Sequence, residues 1–538
     1  MTTVATASLT IPETASSSAR WRVLVGAIMV QLILGTVYGY SVFWQPLESE
    51  LWPAILTGEK AAELVAAGEK VPVEALIVAD AAEAKQERET RLGYLKYSFA
   101  ICLLSFATAM VFAGRLQDIK GPRFTAILGG LILGLGFLIF GQMNHLVTFY
   151  VCHALLMGSL VVIALLIFDA LFKGVDRAQY PILQYVPHGI VTVAVVIGVG
   201  LGTHYVSNTS TDRLFLLWGT IGLLAGVGIG YAYVCPIAAL VKWFPAHKGL
   251  VSGIAVAGFG LGAYIFSQKS VFGAVGFIER YGIATFFTVH GLISAIVVTA
   301  GALLLRNPPP MSAATAVAAA KAPPGADATW QEVLRTGRFY VVWLMFFSGA
   351  MAGLMVIGIL KPFAGSQLVS AAESAGTAVT DSLRAELLLK GATAVGVLAI
   401  FNAAGRVVWG LLSDVLGRMA AMMLMFVLQA ATLLSLITFR TELTLAVGAA
   451  CVGFNFGGNF ALFPSLTADL FGSKNFGANY GWVFTSYGVA GVIGVWVGNT
   501  AQQMTGSYFA AFAIAATLCF LSAILAFALS RVRKTATA

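Results

Sequence analysis

Phe401-Asn-Ala-Ala-Gly-Arg406-Val-Val-Trp-Gly410-Leu-Leu-Ser-Asp414-Val-Leu-Gly417-Arg418 begins as an apolar helix carrying one arginine and ends as a tight polar loop. The arginine falls inside a run otherwise apolar enough to span a membrane. A guanidinium there costs roughly 2.5–3.5 kcal/mol on insertion scales, so Arg406 is expected to face a protein cavity and to do a job in it. The loop has an echo upstream, Gly114-Arg-Leu-Gln-Asp118-Ile-Lys-Gly121-Pro-Arg123. Both read Gly-x-x-x-Asp-x-x-Gly and are followed by Arg. A loop repeated at matching places in two hydrophobic halves is the sequence sign of a repeat-built transporter.

Composition agrees. Of the 538 residues, 59% are hydrophobic and 10% charged, with a mean hydropathy of +0.87. Soluble domains carry about 25% charged residues, so the chain reads as an all-α integral membrane protein. Apolar runs of about 20 residues mean helices, because barrel strands would alternate over about 10. Cys102, Cys152, Cys235, Cys451 and Cys519 all lie in apolar runs without a CxxC pair. That pattern indicates neither a disulfide framework nor a metal site. The net charge of +8 needs no nucleic acid, since basic residues retained at the cytoplasmic face account for it. No Walker loop, metal cluster or nucleophile triad is present, so neither enzyme chemistry nor a cofactor is expected.

In order, residues 1–20 read as a polar cytoplasmic tail and 21–306 as an N-terminal membrane bundle. Within that bundle, 48–91 holds ten carboxylates and five basic residues and is expected to form a short helical cap outside the membrane. Residues 307–338, opening Asn307-Pro-Pro-Pro310, have linker composition. A C-terminal bundle at 339–530 and a tail at 531–538 follow. The spans number about fourteen: near 21–46, 92–113, 124–143, 146–171, 183–206, 214–240, 249–268, 283–305, 339–362, 385–411, 419–439, 443–463, 477–499 and 508–530. With both termini inside, eighteen Lys/Arg lie in interior segments, ten outside (five of them in the 48–91 insert) and four within spans. The positive-inside rule therefore puts both termini in the cytoplasm.

Several stretches together resemble the major facilitator superfamily, and within it the oxalate/formate antiporter family, close to the monocarboxylate porters. The two Gly-x-x-x-Asp-x-x-Gly loops carry the superfamily likeness. The narrower one rests on Gly35-Thr-Val-Tyr38-x-x-Ser41-Val-Phe, on Tyr233-Val-Cys-Pro236-Ile-Ala-Ala-Leu-Val-Lys242-Trp-Phe-Pro245-x-x-Lys248-Gly, on Phe401-Asn-Ala-Ala-Gly-Arg406, and on Phe463-Pro-x-x-Thr467-Ala-Asp469-x-Phe-Gly-x-Lys474-Asn. The resemblance implies two pseudo-symmetric six-helix bundles that rock around a central cavity. Family members have twelve helices, so the surplus is assigned to an extra hairpin at 146–206 and a longer outside loop near 363–384. Fourteen-helix drug exporters are a weaker match: Gly253-Ile-Ala-Val-Ala-Gly-Phe-Gly260-Leu-Gly262 has their glycines but lacks the proline of their helix-five signature.

For each candidate site residue a functional reading stands beside a structural one. Arg406 can anchor a substrate or snorkel to the cytoplasmic face. Asn402, one turn earlier on the same face, and the family likeness both favour the anchor. A guanidinium fork suits a carboxylate by offering two parallel charge-assisted bonds. Tyr487 stands where dicarboxylate-handling relatives show a lysine, and it is expected to line the cavity, as is Tyr38. Tyr40, Trp44, Tyr231 and Tyr233 are cavity-wall candidates whose ordinary role would be packing. Lys361 can snorkel or supply a second cation. Lys96 and Lys390 read as structural, and Asp169 and His290 as packed rather than proton-carrying. Gly114, Asp118, Gly121, Arg123, Gly410, Asp414, Gly417 and Arg418 are assigned to cytoplasmic latches, where Asp pairs with Arg or a helix N-terminus.

The sequence thus implies a monomeric carrier of small carboxylate anions in a bacterial inner membrane. It is expected to work by alternating access, with anion exchange ahead of proton symport and a monocarboxylate ahead of oxalate. A non-transporting membrane sensor is the rival from another class.

Overall fold

The computed structural model describes residues 17–72, 75–143, 210–266, 273–309 and 327–535, with isolated residues between 158 and 192. Among the described residues twelve helices are long and apolar enough to cross a membrane. In chain order the membrane helices are α1 (Ser17–Leu34), α2 (Ala81–Lys120), α3 (Pro122–Gly141), α4 (Ala225–Trp243), α5 (Lys248–Phe266) and α6 (Ile283–Leu304). The second half gives α7 (Gly337–Ser374), α8 (Asp381–Leu416), α9 (Arg418–Leu436), α10 (Glu442–Phe471), α11 (Phe476–Thr505) and α12 (Phe509–Thr535). Helices satisfy their backbone polar groups internally, which the hydrocarbon core demands. These twelve match twelve of the fourteen expected spans, and the hairpin expected at 146–206 lies outside the described residues apart from isolated positions.

The repeated loops are where helices must stop. Gly121 and Gly417 hold φ of +91° and +89°, a backbone that other residues rarely adopt, and they end α2 and α8. Pro122 then opens α3, where its missing N–H costs nothing.

Three regions differ from expectation. The insert is not purely helical: β1 (Ile55–Thr57) pairs in parallel with β2 (Leu76–Val78), Ile55 opposite Leu76. Arg91 ties it to α2 by donating to the Pro53 carbonyl at 2.7 Å and to Glu87 at 2.9 Å. The longer outside loop near 363–384 is mostly helix, since α7 runs on to Ser374 and α8 starts at Asp381. The end of the linker is also folded. Thr329 closes a capping box on a short helix, Trp330–Leu334, just before α7.

Two helices depart from regular α geometry. α1 continues as a nine-residue 3-10 stretch, Gly35–Phe43, longer than the three or four residues usual for that geometry. A π-helical segment, Trp218–Leu224, leads into α4.

The first six helices form one bundle and the last six another, joined along two seams, α2 against α11 and α5 against α8. Glycines make the seams tight. A Cβ on Gly114 would run into the Gly477 carbonyl, and one on Gly410 into the Gly249 carbonyl. Small residues let helix backbones approach in this way, which suits membrane interiors, where packing drives association.

Candidate functional site

Arg406 lies on the α5–α8 seam and is 0% exposed. Its Nε donates to Asn402 Oδ1 at 3.0 Å, one turn back on α8, and its Nη1 to the Val256 carbonyl of α5 at 2.7 Å. The second bond crosses between the halves, and glycine allows it: a Cβ on Gly253 would collide with the Arg406 carbonyl. The guanidinium carbon stands 4.5 Å from the Phe460 ring centroid and 5.6 Å from that of Phe259. Nη2 is buried without a hydrogen-bond partner. Among the described residues no carboxylate pairs with Arg406, so a full positive charge is held by one amide oxygen, one carbonyl and two ring faces, with the Tyr38 phenol also close enough to interact with it.

Tyr487 of α11 is also 0% exposed. Its hydroxyl meets that of Tyr38, on the 3-10 stretch, at 2.6 Å, again bridging the halves. Tyr38 packs edge-on against Phe259 at 4.9 Å, and Tyr487 lies 5.5 Å from Phe460 and 4.9 Å from Phe484. Tyr233 completes the wall, 5.5 Å from Phe259 and 5.4 Å from Phe484, with its hydroxyl unpartnered. This cluster therefore joins one cation, neutral phenols and apolar ring faces. Chemically, the arrangement offers an anion the N–H groups of Nη2 and offers an apolar group the surrounding ring faces.

Of the five residues expected at the site, the structure gathers Arg406, Asn402, Tyr487 and Tyr38. It does not bring Lys361 to them, because that side chain is exposed on α7. Tyr40 turns to Ser98 and stacks on Phe99 at 5.9 Å, and Trp44 lies under Lys96 at 5.5 Å. Tyr231 is buried with its hydroxyl unpartnered. His290 bonds Thr36 at 3.2 Å among phenylalanine rings, and Lys390 pairs with Glu386 and Glu442 at 3.2 Å each. Asp169, one of the isolated described positions, is exposed. Phe259, Phe460 and the Val256 carbonyl were not singled out from sequence. Aromatic and aliphatic residues in an apolar helix give no sign of which way they face.

At the other end of the seams the repeated loops make matching contacts. Asp118 of the first half accepts from the Gly477 and Ala478 N–H groups, at 3.2 and 2.8 Å, at the start of α11 in the second half. Asp414 of the second half accepts from the Gly249 and Leu250 N–H groups, at 3.0 and 2.8 Å, at the start of α5 in the first. Each carboxylate caps the positive end of a helix belonging to the opposite bundle.

The surrounding charges are less symmetric. Lys242 stands 3.9 Å from Asp118. Around Asp414, Arg418 pairs with it at 2.6 Å and with Asp469 at 2.9 Å, and Lys248 of the first half meets Asp469 at 2.7 Å. Arg123 is exposed, so its place by symmetry with Arg418 is not filled by it. Lys242, Lys248 and Asp469 stood in the quoted family stretches, and only the fold shows what they touch.

A sequence model described as Major Facilitator Superfamily matches residues 379–538. The MFS-type transporter YhjX of Escherichia coli (strain K12) is 30% identical over 474 residues, covering 88% of this chain and 86% of its own length. The oxalate:formate antiporter of Oxalobacter formigenes is 30% identical over 305 residues, 56% of this chain and 67% of that one. Among solved structures, the human organic anion transporter MFSD10 aligns with a TM-score of 0.54 at 14% identity, covering 94% of this chain and 99% of that one. At that identity the likeness speaks for the fold alone.

Proposed function

Because the chain belongs to the major facilitator superfamily and is a multi-pass membrane transporter, we propose that it moves small organic carboxylates by alternating access, favours monocarboxylates, and works by anion exchange. The single observation that carries this reading is Arg406, fully buried, with Nη2 without a hydrogen-bond partner and no carboxylate paired with it among the described residues. A buried cation left alone is costly, by several kcal/mol even after relaxation, and a bound carboxylate relieves it with charge-assisted bonds. The modest similarity to an oxalate:formate antiporter supports the same substrate class.

The phenol near Arg406 bears on substrate charge. Tyr487 offers a neutral phenol, so a second negative charge on the ligand would go largely uncompensated. In this reading the two Asp–helix contacts are latches that hold the cytoplasmic face shut, and both termini face the cytoplasm of a bacterial plasma membrane.

A thermal-shift panel tests the site. Formate, acetate, lactate and pyruvate are expected to stabilise the purified protein more than oxalate or malonate do, and to lose the effect in Arg406→Gln. Equal stabilisation of that variant would remove Arg406 from the site.

A further inference from the structure

The helix end that Asp118 caps has an asparagine of its own. Asn475 directly precedes α11, and asparagine ranks among the best N-cap residues because its side-chain oxygen can accept from a first-turn N–H. Here it makes no such bond. Its amide instead donates to the carbonyls of Asp327 and Ala328, at 3.1 and 3.3 Å. Those two residues belong to the segment that joins the bundles, and they grip the α10–α11 turn at three more points. The Asp327 carboxylate accepts from the Lys474 N–H at 2.9 Å, the Ala328 N–H donates to the Phe471 carbonyl at 3.0 Å, and the Asn479 amide donates to the Ala328 carbonyl at 2.9 Å. Trp330 stacks on Trp482 of α11 at 5.8 Å. Asp327 holds a left-handed backbone, φ +72°, alone among the described non-glycine residues. Aspartate and asparagine are the side chains that tolerate this best.

We propose that Asp327 and Ala328 form a strap that sets the strength of the first latch, by holding Asn475 away from the helix end so that the Gly477 and Ala478 N–H groups are left to Asp118. Asp327 is thus a positioning residue: its carboxylate pins the strap to the Lys474 N–H, and the strap's two carbonyls hold Asn475. The inference rests on the reading of Asp118 as a latch. Releasing the strap frees Asn475 to cap its own helix in competition with Asp118, and the cytoplasmic face then opens more readily. Among the described residues the second latch has no such competitor. His247, which is not among the good N-cap residues, precedes α5, and the Gly249 and Leu250 N–H groups go to Asp414.

The test uses the full chain in nanodiscs on a cysteine-free background. Spin labels at Lys120→Cys and Arg338→Cys, both exposed at the latch end, report the opening of that face. Amide exchange over residues 472–480 reports the turn. Asp327→Ala is expected to speed that exchange about tenfold and to enlarge the open population. Adding Asn475→Ala is expected to return the population toward wild type, because the competing cap is gone. A turn that is merely structural would be damaged further. Asp327→Asn keeps both the acceptor and the backbone tolerance and is expected to match wild type. Should Asp327→Ala fail to insert, Asp327→Gly stands in for it, keeping the left-handed backbone and dropping only the acceptor.

The proposal is overturned if the strap variant leaves the open population unmoved, or if Asn475→Ala on top of it opens the face further. Asp118→Asn separates the two readings, and it is expected to open the face without speeding exchange at Lys474. If it moves nothing, the latch reading itself fails. If it opens the face and the strap variant does not, the strap alone fails.

Discussion

At the scale of single residues, Arg406 holds the functional argument because its geometry uses the fork. Nε and Nη1 fix its orientation on Asn402 and Val256, and Nη2 is left without a hydrogen-bond partner. Arg406→Lys keeps the charge and loses the fork. It is expected to cut transport more than tenfold, a loss of at least about 1.4 kcal/mol, while the protein still inserts. Uptake into proteoliposomes measures this, and a rate within about twofold of wild type would count against the site. Tyr487→Lys is expected to let oxalate compete with a labelled monocarboxylate better than it does in wild type, by placing a second cation opposite Arg406. Unchanged competition would mean that Tyr487 does not set substrate charge. Arg406 was legible in sequence because a guanidinium in an apolar run is expensive and demands a reason. Phe460, 4.5 Å from it, was not, because one more aromatic residue in an apolar helix demands none.

Among the elements, the repeated loops gave themselves away by their glycines and aspartates. Gly121 and Gly417 take backbone angles that few other residues accept, and Gly114 and Gly410 lie where the bundles touch. Gly114→Val is expected to force α2 from α11 and enlarge the open population reported by the same spin-label pair. No change would mean that the seam is looser than its backbone contacts imply. Asp414→Asn is expected to slow turnover several-fold while binding affinity moves less than about twofold, because it alters the balance of states rather than the cluster around Arg406. A binding loss as large as the turnover loss would place Asp414 nearer the substrate. Other elements were illegible for identifiable reasons. Strands of three residues, such as Ile55–Thr57, are too short for any alternation to register. The run after Pro362 is polar enough to look like a loop, yet its alanines and serines continue α7.

For the whole molecule, the positive-inside count, the repeated loop and the two seams describe one machine with its halves closed together at the latch end. The twelve described spans and the family were readable because bilayer thickness dictates helix length and each half carries its own copy of the loop. Which side chains meet across the seams was not, since that depends on two bundles docking. The central claim is that Arg406 cannot cross the membrane cycle uncompensated. No carboxylate of the described chain neutralises it, so the empty carrier should reorient slowly and the loaded one quickly. The direct measurement is efflux of a labelled monocarboxylate from proteoliposomes, into medium with and without unlabelled substrate, at matched and at opposed pH. Efflux at least about tenfold faster with external substrate, and indifferent to the proton gradient, is the expected result. Efflux equally fast into substrate-free medium and accelerated by the proton gradient would contradict it.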